Sequence, residues 1–334
     1  MSRLEKGKAM FMRAARVTPS SDGGSVAVED IPVPVPGPSQ VLVRVRASGL
    51  NRGEINQARE LRTGDPVTTG VEFTGEVVDV GPEVTMWKPD DRVMGHGRGG
   101  QAQYTLAHPH ALMRVPDNMN WIEAAAFPNV FITAHDAVVT NGELKPGESV
   151  LVNGASGGVA IAALQVASLL GAKPVIAESR SAEKLEKVRR FGADYTIDLS
   201  GQSQTDVVME ATGQRGVDLI IDTVGASVFQ ANMQSLAVKG RLVNIARLGG
   251  PRAEIDLSLL WLKRLKLIGV TFRTRSEQER LDCIQACAHD MLPFLEAGRI
   301  RLPIDRTFPL EAIREAHRYM QSDQHVGKIV LTIE

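Results

Sequence analysis

Three glycines fall within five residues, Gly154-Ala155-Ser156-Gly157-Gly158, inside the stretch "VLVNGASGGVAIAAL". Glycine lets a backbone turn sharply and lets a ligand approach amides that a side chain would screen. The turn lies between an apolar run that reads as a buried strand, "SVLVNG", and an alanine-rich helix beginning near Val159. A helix start there offers unpaired N–H groups and about half a positive charge to a pyrophosphate. The spacing is Gly154-x-x-Gly157-x-x-Ala160 rather than a full G-x-G-x-x-G. The last position serves close helix–strand packing, where one methyl group fits, so Ala160 does not break the pattern. These residues point to a dinucleotide cradled by Gly154, Ala155, Ser156, Gly157, Gly158 and Val159. A merely tight turn is the alternative, and the run of strands around the motif speaks against it.

The following strand ends in "VIAESRSAEK". An acidic residue at that end holds a ribose 2′-hydroxyl, whereas a basic one accommodates a 2′-phosphate. Glu178 carries the first signal; Ser179, Arg180 and Lys184 carry the second. The balance leans to NADPH over NADH.

These residues need elements to hold them. From about Arg13 to Val138 the chain reads as short strands broken by turn residues, with the prolines of "IPVPVPGPSQ" excluding a helix. From about Lys145 the period changes. "SVLVNG", "KPVIAES", "DYTIDL", "VDLIIDTVG" and "GRLVNIARLGG" read as buried strands, with helices such as "SAEKLEKVRRFGA", capped by Ser181, between them. Alternation of this kind predicts βαβ units and a parallel sheet. After about Thr274 a helix, a Pro/Arg turn region and the strand "GKIVLTIE" close the chain and rejoin the first lobe. The expected architecture is α/β: a β-rich lobe plus a doubly wound parallel-sheet lobe.

Composition limits the partners. The 334 residues carry a formal charge of −1, with 43% hydrophobic and 23% charged residues. That is ordinary for a soluble domain pair and gives no electrostatic case for nucleic acid or an anionic membrane. No apolar run reaches the length of a spanning helix, and the opening "MSRLEKGKAMFMRAARV" lacks the apolar core of a signal peptide. With only Cys283 and Cys287, no disulfide framework is available, and a cytoplasmic location is expected.

The segments "VLVRVRASGLNRGEI", "GVEFTGEVVDVGPEVTMWKPDDRV", "EAAAFPNVFITAHDAV", "LKPGESVLVNGASGGVA" and "FPLEAIREAHRYMQSDQHVGKIVL" carry a more specific signal. In order and spacing they resemble the medium-chain dehydrogenase/reductase superfamily, in its zinc-independent quinone oxidoreductase branch. The stretch "GVTFRTRS" is most similar to the p53-inducible subgroup. The resemblance implies a GroES-like catalytic domain (12–137 and 275–334) around a Rossmann domain (138–274). It also implies a homodimer joined through the Rossmann sheets and NADPH-dependent reduction of a small quinone-like acceptor. A 2-alkenal or enone reductase, and a non-enzymatic NADP-binding redox sensor, are the alternatives.

No metal is expected. Zinc-dependent relatives place a Cys where this chain has "SGLNRGE" and a His-Glu pair where it has Val71-Glu72. Here Asn51 and Arg52 fill the first region, Val71 offers no donor, and no cluster of structural cysteines exists. Chemistry then rests on positioning a hydride acceptor and on donors that stabilise charge on its oxygen.

The resemblance assigns Asn51 and Thr133 to the catalytic and nicotinamide side. Read alone, the residues leave Asn51 as a turn former and Thr133 as a helix-bonded hydroxyl. Asn244, Ala246, Phe272 and Arg273 follow the later strands of the parallel sheet, whose carboxyl ends face ligand. Lys328 matches the basic residue of the family's terminal "GKIVL" and is expected near the cofactor. Two departures matter: Leu199 stands where some relatives carry a 2′-phosphate tyrosine, and no tyrosine follows the Asn51 segment as in enoyl-thioester reductases.

Overall fold

The alternating runs of the first half do form strands, and the period change near Lys145 marks a second sheet. The structure is a computed structural model that describes residues 10–334, so part of the segment bearing on the signal-peptide reading lies outside it. Two compact units result: residues 10–129 together with Ile284–Glu334, and Val130–Cys283.

In the first unit, a sheet runs in the order Ile304–Pro309, Lys328–Thr332, Val41–Gly49, Glu72–Val80, Arg92–His96, Leu112–Arg114; Tyr104–Ala107 also pairs with Val41–Gly49. A smaller sheet orders Ser25–Pro32, Phe11–Thr18 and Val67–Thr68. The closing strand lies antiparallel to Val41–Gly49, with Val330 opposite Gly49, so the tail does rejoin this unit. Phe73, Leu50, Val43, Ile329 and Leu331 are fully buried between these layers. Burying each such side chain contributes about 1.5–3 kcal/mol of transfer free energy.

Helices interrupt the strand-rich reading at Arg52–Glu60, Trp121–Ala125 and Pro128–His135, the last passing into a π-helical turn at Asp136–Asn141. The helix Arg52–Glu60 buries Ile55, Ala58 and one charged residue, Glu54. Two apolar positions in nine are too few to show a helical period, which is why the sequence masked it.

The second unit is a six-stranded parallel sheet, ordered Tyr195–Asp198, Val175–Ser179, Val150–Val152, Val217–Asp222, Leu236–Asn244, Lys266–Gly269. Counted along the chain this is 3-2-1-4-5-6, the Rossmann order, with the strand order reversing beside Val150–Val152. The five expected strands are all present. The sixth, "KLIG", is a short and mostly exposed edge strand, without the apolar run that marks a central one. The helix Gly158–Leu169 buries every residue from Ala160 to Ala167, so it is enclosed on all sides, with Gln165 as the one polar residue in that run. Cys287 lies in the helix Glu277–Glu296 with Cys283, and no disulfide joins them. No helix among the described residues is long and apolar enough to cross a membrane.

Candidate functional site

Each unit contains a polar cluster at the place the sequence marked. In the first, Lys328 opens the closing strand, and only 3% of it is exposed. Its ammonium donates to Glu72 Oε1 at 2.5 Å, to Asn51 Oδ1 at 2.8 Å and to the Leu50 carbonyl at 3.0 Å. Glu72, at the start of its strand, is fully buried. Its Oε1 also accepts from Asn51 Nδ2 at 2.9 Å, and its Oε2 accepts the Asn129 amide at 2.7 Å. That amide belongs to the first turn of the helix Pro128–His135, where an N–H has no intrahelical acceptor. Gly49 makes the approach possible: a Cβ there would collide with Glu72 Oε1 and lie 2.7 Å from the Ala125 carbonyl.

Asn51 is therefore bonded on both sides. Its Nδ2 donates to Glu72 and to the Gly49 carbonyl (3.2 Å), and its Oδ1 accepts from Lys328 and from Asn129 Nδ2 (2.8 Å). Its backbone N–H goes to Glu54 Oε2 at 3.1 Å, which caps the helix Arg52–Glu60. Glu54 also accepts from the Val71 amide at 2.8 Å and Gln101 Nε2 at 3.0 Å. Burial pushes its carboxyl up to about 7, against the pull of the Val71 and Asn51 amides and the Lys328 charge. At the partly exposed end, His96 Nε2 lies 3.2 Å from Asn129 Oδ1.

Of this cluster the sequence reading named Asn51 and Lys328, and the structure joins them directly. Asn129 and His96 were missed as partners, and Glu72 was weighed only as part of a missing zinc pair. A signal existed for one member of the cluster: Lys328 begins an otherwise largely apolar strand, "KIVLT". A lone charge in such a strand needs a partner. Thr133 lies in the second unit, partly buried on the helix Pro128–His135.

In the second unit the glycine turn adopts the expected form. Gly154 has φ +67°, and a Cβ on it would lie 2.6 Å from Thr223 Oγ1. The Ala155 and Gly157 amides donate within the fold, to the carbonyls of Glu178 (2.8 Å) and Gly154 (3.1 Å). The helical ladder starts with Ile161 N–H to the Gly157 carbonyl, so the amides of Gly158, Val159 and Ala160 precede it. Those amides, with Ser156 before them, lie at the N-terminal end of the helix Gly158–Leu169, the positive pole of its dipole.

Glu178 points into the unit. It is 1% exposed, and its Oε2 accepts from Asn153 Nδ2 at 2.9 Å inside the unit. Burial, opposed by that bond and reinforced by the Asp222 charge, pushes it up to about 7. The chain of buried amides continues from Asn153 to Asn232 (2.9 Å) and on to Gln204 (2.9 Å). Ser179 is buried at the strand end and Arg180 is exposed. Lys184 sits in the first turn of the helix Ala182–Arg189, whose cap Ser181 accepts its amide at 3.4 Å.

Asn244 Nδ2 donates to Asp222 Oδ2 and to the Ala246 carbonyl, both at 2.9 Å, at the carboxyl ends of neighbouring strands. Phe272 lies under the Arg275 guanidinium, 5.0 Å from the ring centre, and Arg275 pairs with buried Asp136 at 2.7 Å. Arg273 is exposed in the same turn. Among the described residues no three His, Cys, Asp or Glu side chains converge as a metal site.

Comparison with known proteins identifies the family. Residues 37–117 match the model of the alcohol dehydrogenase GroES-like domain, and 191–331 match one described as zinc-binding dehydrogenase. The chain is 30% identical to quinone oxidoreductase-like protein 2 of Bos taurus, over 92% of this chain and 89% of that protein. It is also 30% identical to human quinone oxidoreductase, covering 97% and 98%. A mycobacterial structure described as complexed with NADPH superposes with a TM-score of 0.86 at 28% identity, covering 96% and 99%. The chain belongs to the medium-chain dehydrogenase/reductase superfamily, in its quinone oxidoreductase branch.

Proposed function

We propose that this protein is a zinc-independent, NADPH-dependent reductase of quinones or of activated alkenes such as 2-alkenals. The observation that carries the reading is the buried ammonium of Lys328, bonded to Glu72 and Asn51. It sets a fixed positive charge among the residues that stand where zinc-dependent relatives draw their ligands. A dication beside it would meet like-charge repulsion in a poorly screened site. With Asn51 fully bonded and Val71 without a donor, the donor set does not fit zinc, and no step is routed through one.

A nicotinamide cofactor does fit. The glycine turn and the amides of Gly158 and Val159 suit a pyrophosphate, and the bound cofactor supplies the hydride. With Glu178 turned inward, Ser179, Arg180 and Lys184 are left at the strand end, which supports a 2′-phosphate. Thr133, Asn244, Ala246, Phe272, Arg273 and Lys328 are assigned to cofactor contact or support, and Asn51 with Thr133 to the reacting side. The chain's own contribution to catalysis is orientation in a preorganised polar setting.

The working form is a homodimer. The strand Lys266–Gly269 is an edge of the sheet, and Leu248, Leu257, Leu262 and Trp261 of the same unit are exposed, the last 78% exposed. An open sheet edge and exposed apolar side chains in one unit suit a second copy of the same sheet. A cytoplasmic location accords with two cysteines outside any disulfide.

The test is NADPH oxidation followed with 1,2- and 1,4-quinones and short enals. Turnover on one of these classes is expected. Cofactor binding without turnover on any acceptor would sink the reductase reading and leave an NADP-binding sensor.

A further inference from the structure

The carboxyl edge of the parallel sheet carries a polar row. The register sets Val152 beside Ala177 and Ile221, so the next residues, Asn153, Glu178 and Asp222, stand side by side. Asn244 follows opposite Asp222. Asn153 Nδ2 donates to Glu178 Oε2 and Asn244 Nδ2 to Asp222 Oδ2, both at 2.9 Å. Two carboxyl groups thus flank one asparagine, on strands separated only by Val150–Val152. Their donors are unequal. Asp222 accepts from the Val224 and Gly225 amides, each at 2.8 Å, as well as from Asn244. Glu178 accepts from Asn153 alone among the described residues. Burial and the Asp222 charge push Glu178 up to about 7, so it exchanges its proton near neutrality.

The row adjoins the glycine turn. Asn153 precedes Gly154, and the Ala155 amide donates to the Glu178 carbonyl at 2.8 Å. Thr223, next to Asp222, donates to the Asn153 carbonyl at 2.9 Å. All of these residues belong to the second unit. An anion set against this turn adds negative charge where the protein interior screens poorly. The half-protonated carboxyl beneath it can answer by taking up a proton.

The other titratable groups near this strand face away or stand off. The strand Val150–Val152 and the helices Gly158–Leu169 and Phe229–Ser235 carry none. Asp198 stands opposite Ser179, on the other face of the sheet from Glu178, and Tyr195 is exposed at the far end of its strand. The helix Ala182–Arg189 turns Leu185 and Val188 inward, with Glu183, Glu186, Lys187 and Arg189 exposed and Lys184 in its first turn. Asp206 and Glu210 of the helix Gln204–Ala211 are exposed. Asp222 is the charge that reaches Glu178.

We propose that Glu178 is a proton-binding site coupled to the dinucleotide, so that cofactor binding draws a proton from solvent onto its carboxylate. The coupling rests on the reading above, that a nicotinamide dinucleotide occupies the glycine turn. In the step, a carboxylate oxygen uses a lone pair to bond a proton given up by water or buffer, and no other bond changes. The cofactor's phosphates oppose the ionised form of Glu178, so affinity falls as pH rises past 7. The slope of log Kd against pH counts the protons taken up.

Titration calorimetry of the whole protein with NADPH at pH 8, in buffers of different ionisation enthalpy, reads that count. The wild type is expected to take up about half a proton or more per cofactor beyond Glu178→Gln. Between pH 7 and pH 8 it should also lose up to about fivefold more affinity than the variant. Glutamine keeps an oxygen for Asn153, and the titration of the 2′-phosphate is common to both proteins and cancels. Infrared difference spectra of the wild type give a reading independent of the variant's folding. At pH 8, cofactor binding should raise the C=O band of a protonated carboxyl. Equal proton counts in the two proteins, a larger proton release in the wild type, or no such band overturns the coupling while leaving the dinucleotide reading intact. Failure of both NADPH and NADH to bind the wild type overturns both.

Discussion

Both units bury a glutamate on a strand, and they treat it differently. Glu72 is bonded to the Lys328 ammonium, the Asn51 carboxamide and the Asn129 amide. Glu178 has one side-chain donor, Asn153, and faces the charge of Asp222 instead of a cation. The first arrangement answers a buried charge with an opposite one and orients its neighbours. The second leaves burial unopposed by any cation, so Glu178 is pushed up to about 7. A buried carboxylate is a fixed charge only where the fold brings a cation to it.

The largest expected effect comes from breaking the pair. Lys328→Met leaves Glu72 alone in the interior and should cost about 3–5 kcal/mol in urea unfolding, with the paired change to Met and Gln recovering most of it. A loss below about 1 kcal/mol would remove the contrast between the two units.

Glu178→Gln probes the other side. The unfolded carboxyl loses its proton near 4.5 and the folded one near 7, so the wild type loses stability as pH rises between those values. By pH 8 this amounts to about 3 kcal/mol, and the variant should escape it. Urea curves that shift equally for both proteins from pH 5 to pH 8 would contradict this.

His317 offers a control of opposite sign in the first unit. Burial and the Arg59 charge lower it to about 4 from an ordinary 6.5. The unfolded chain binds the proton first, so this part of stability is complete above pH 6.5 and is lost as pH falls towards 4. His317→Leu should flatten the acid limb by about 2 kcal/mol at pH 5, measured by the same denaturation.

The smallest effect is at the cofactor. Arg180→Ala with Lys184→Ala should weaken NADPH binding about tenfold more than NADH binding, roughly 1.4 kcal/mol by titration calorimetry. Equal losses for the two cofactors would refute the 2′-phosphate assignment.

Much of this was legible from local pattern. The glycine turn stands where it was expected, Gly154 adopts φ +67°, and Ser181 caps its helix. The strand "KLIG" and the helix Arg52–Glu60 escaped because one is a short exposed edge and the other buries two apolar residues. At the site, Asn51 and Lys328 were legible as separate points of family resemblance, but their contact was not. Glu178 carried an acidic residue's signal for a ribose, and only the fold reveals that its carboxylate is buried against Asn153.

The sequence by itself determined what depends on neighbours along the chain: the sheet periods, the turn that needs glycine, and the helix start that draws an anion. Tertiary structure alone decided which polar groups meet. Glu72 and Lys328 stand 256 residues apart, and their contact arises because the closing strand is laid against Val41–Gly49. Hydrogen-bond polarity is a property of such contacts, since each amide is turned by the charge at the end of its chain. No local pattern could carry the orientation of Asn51.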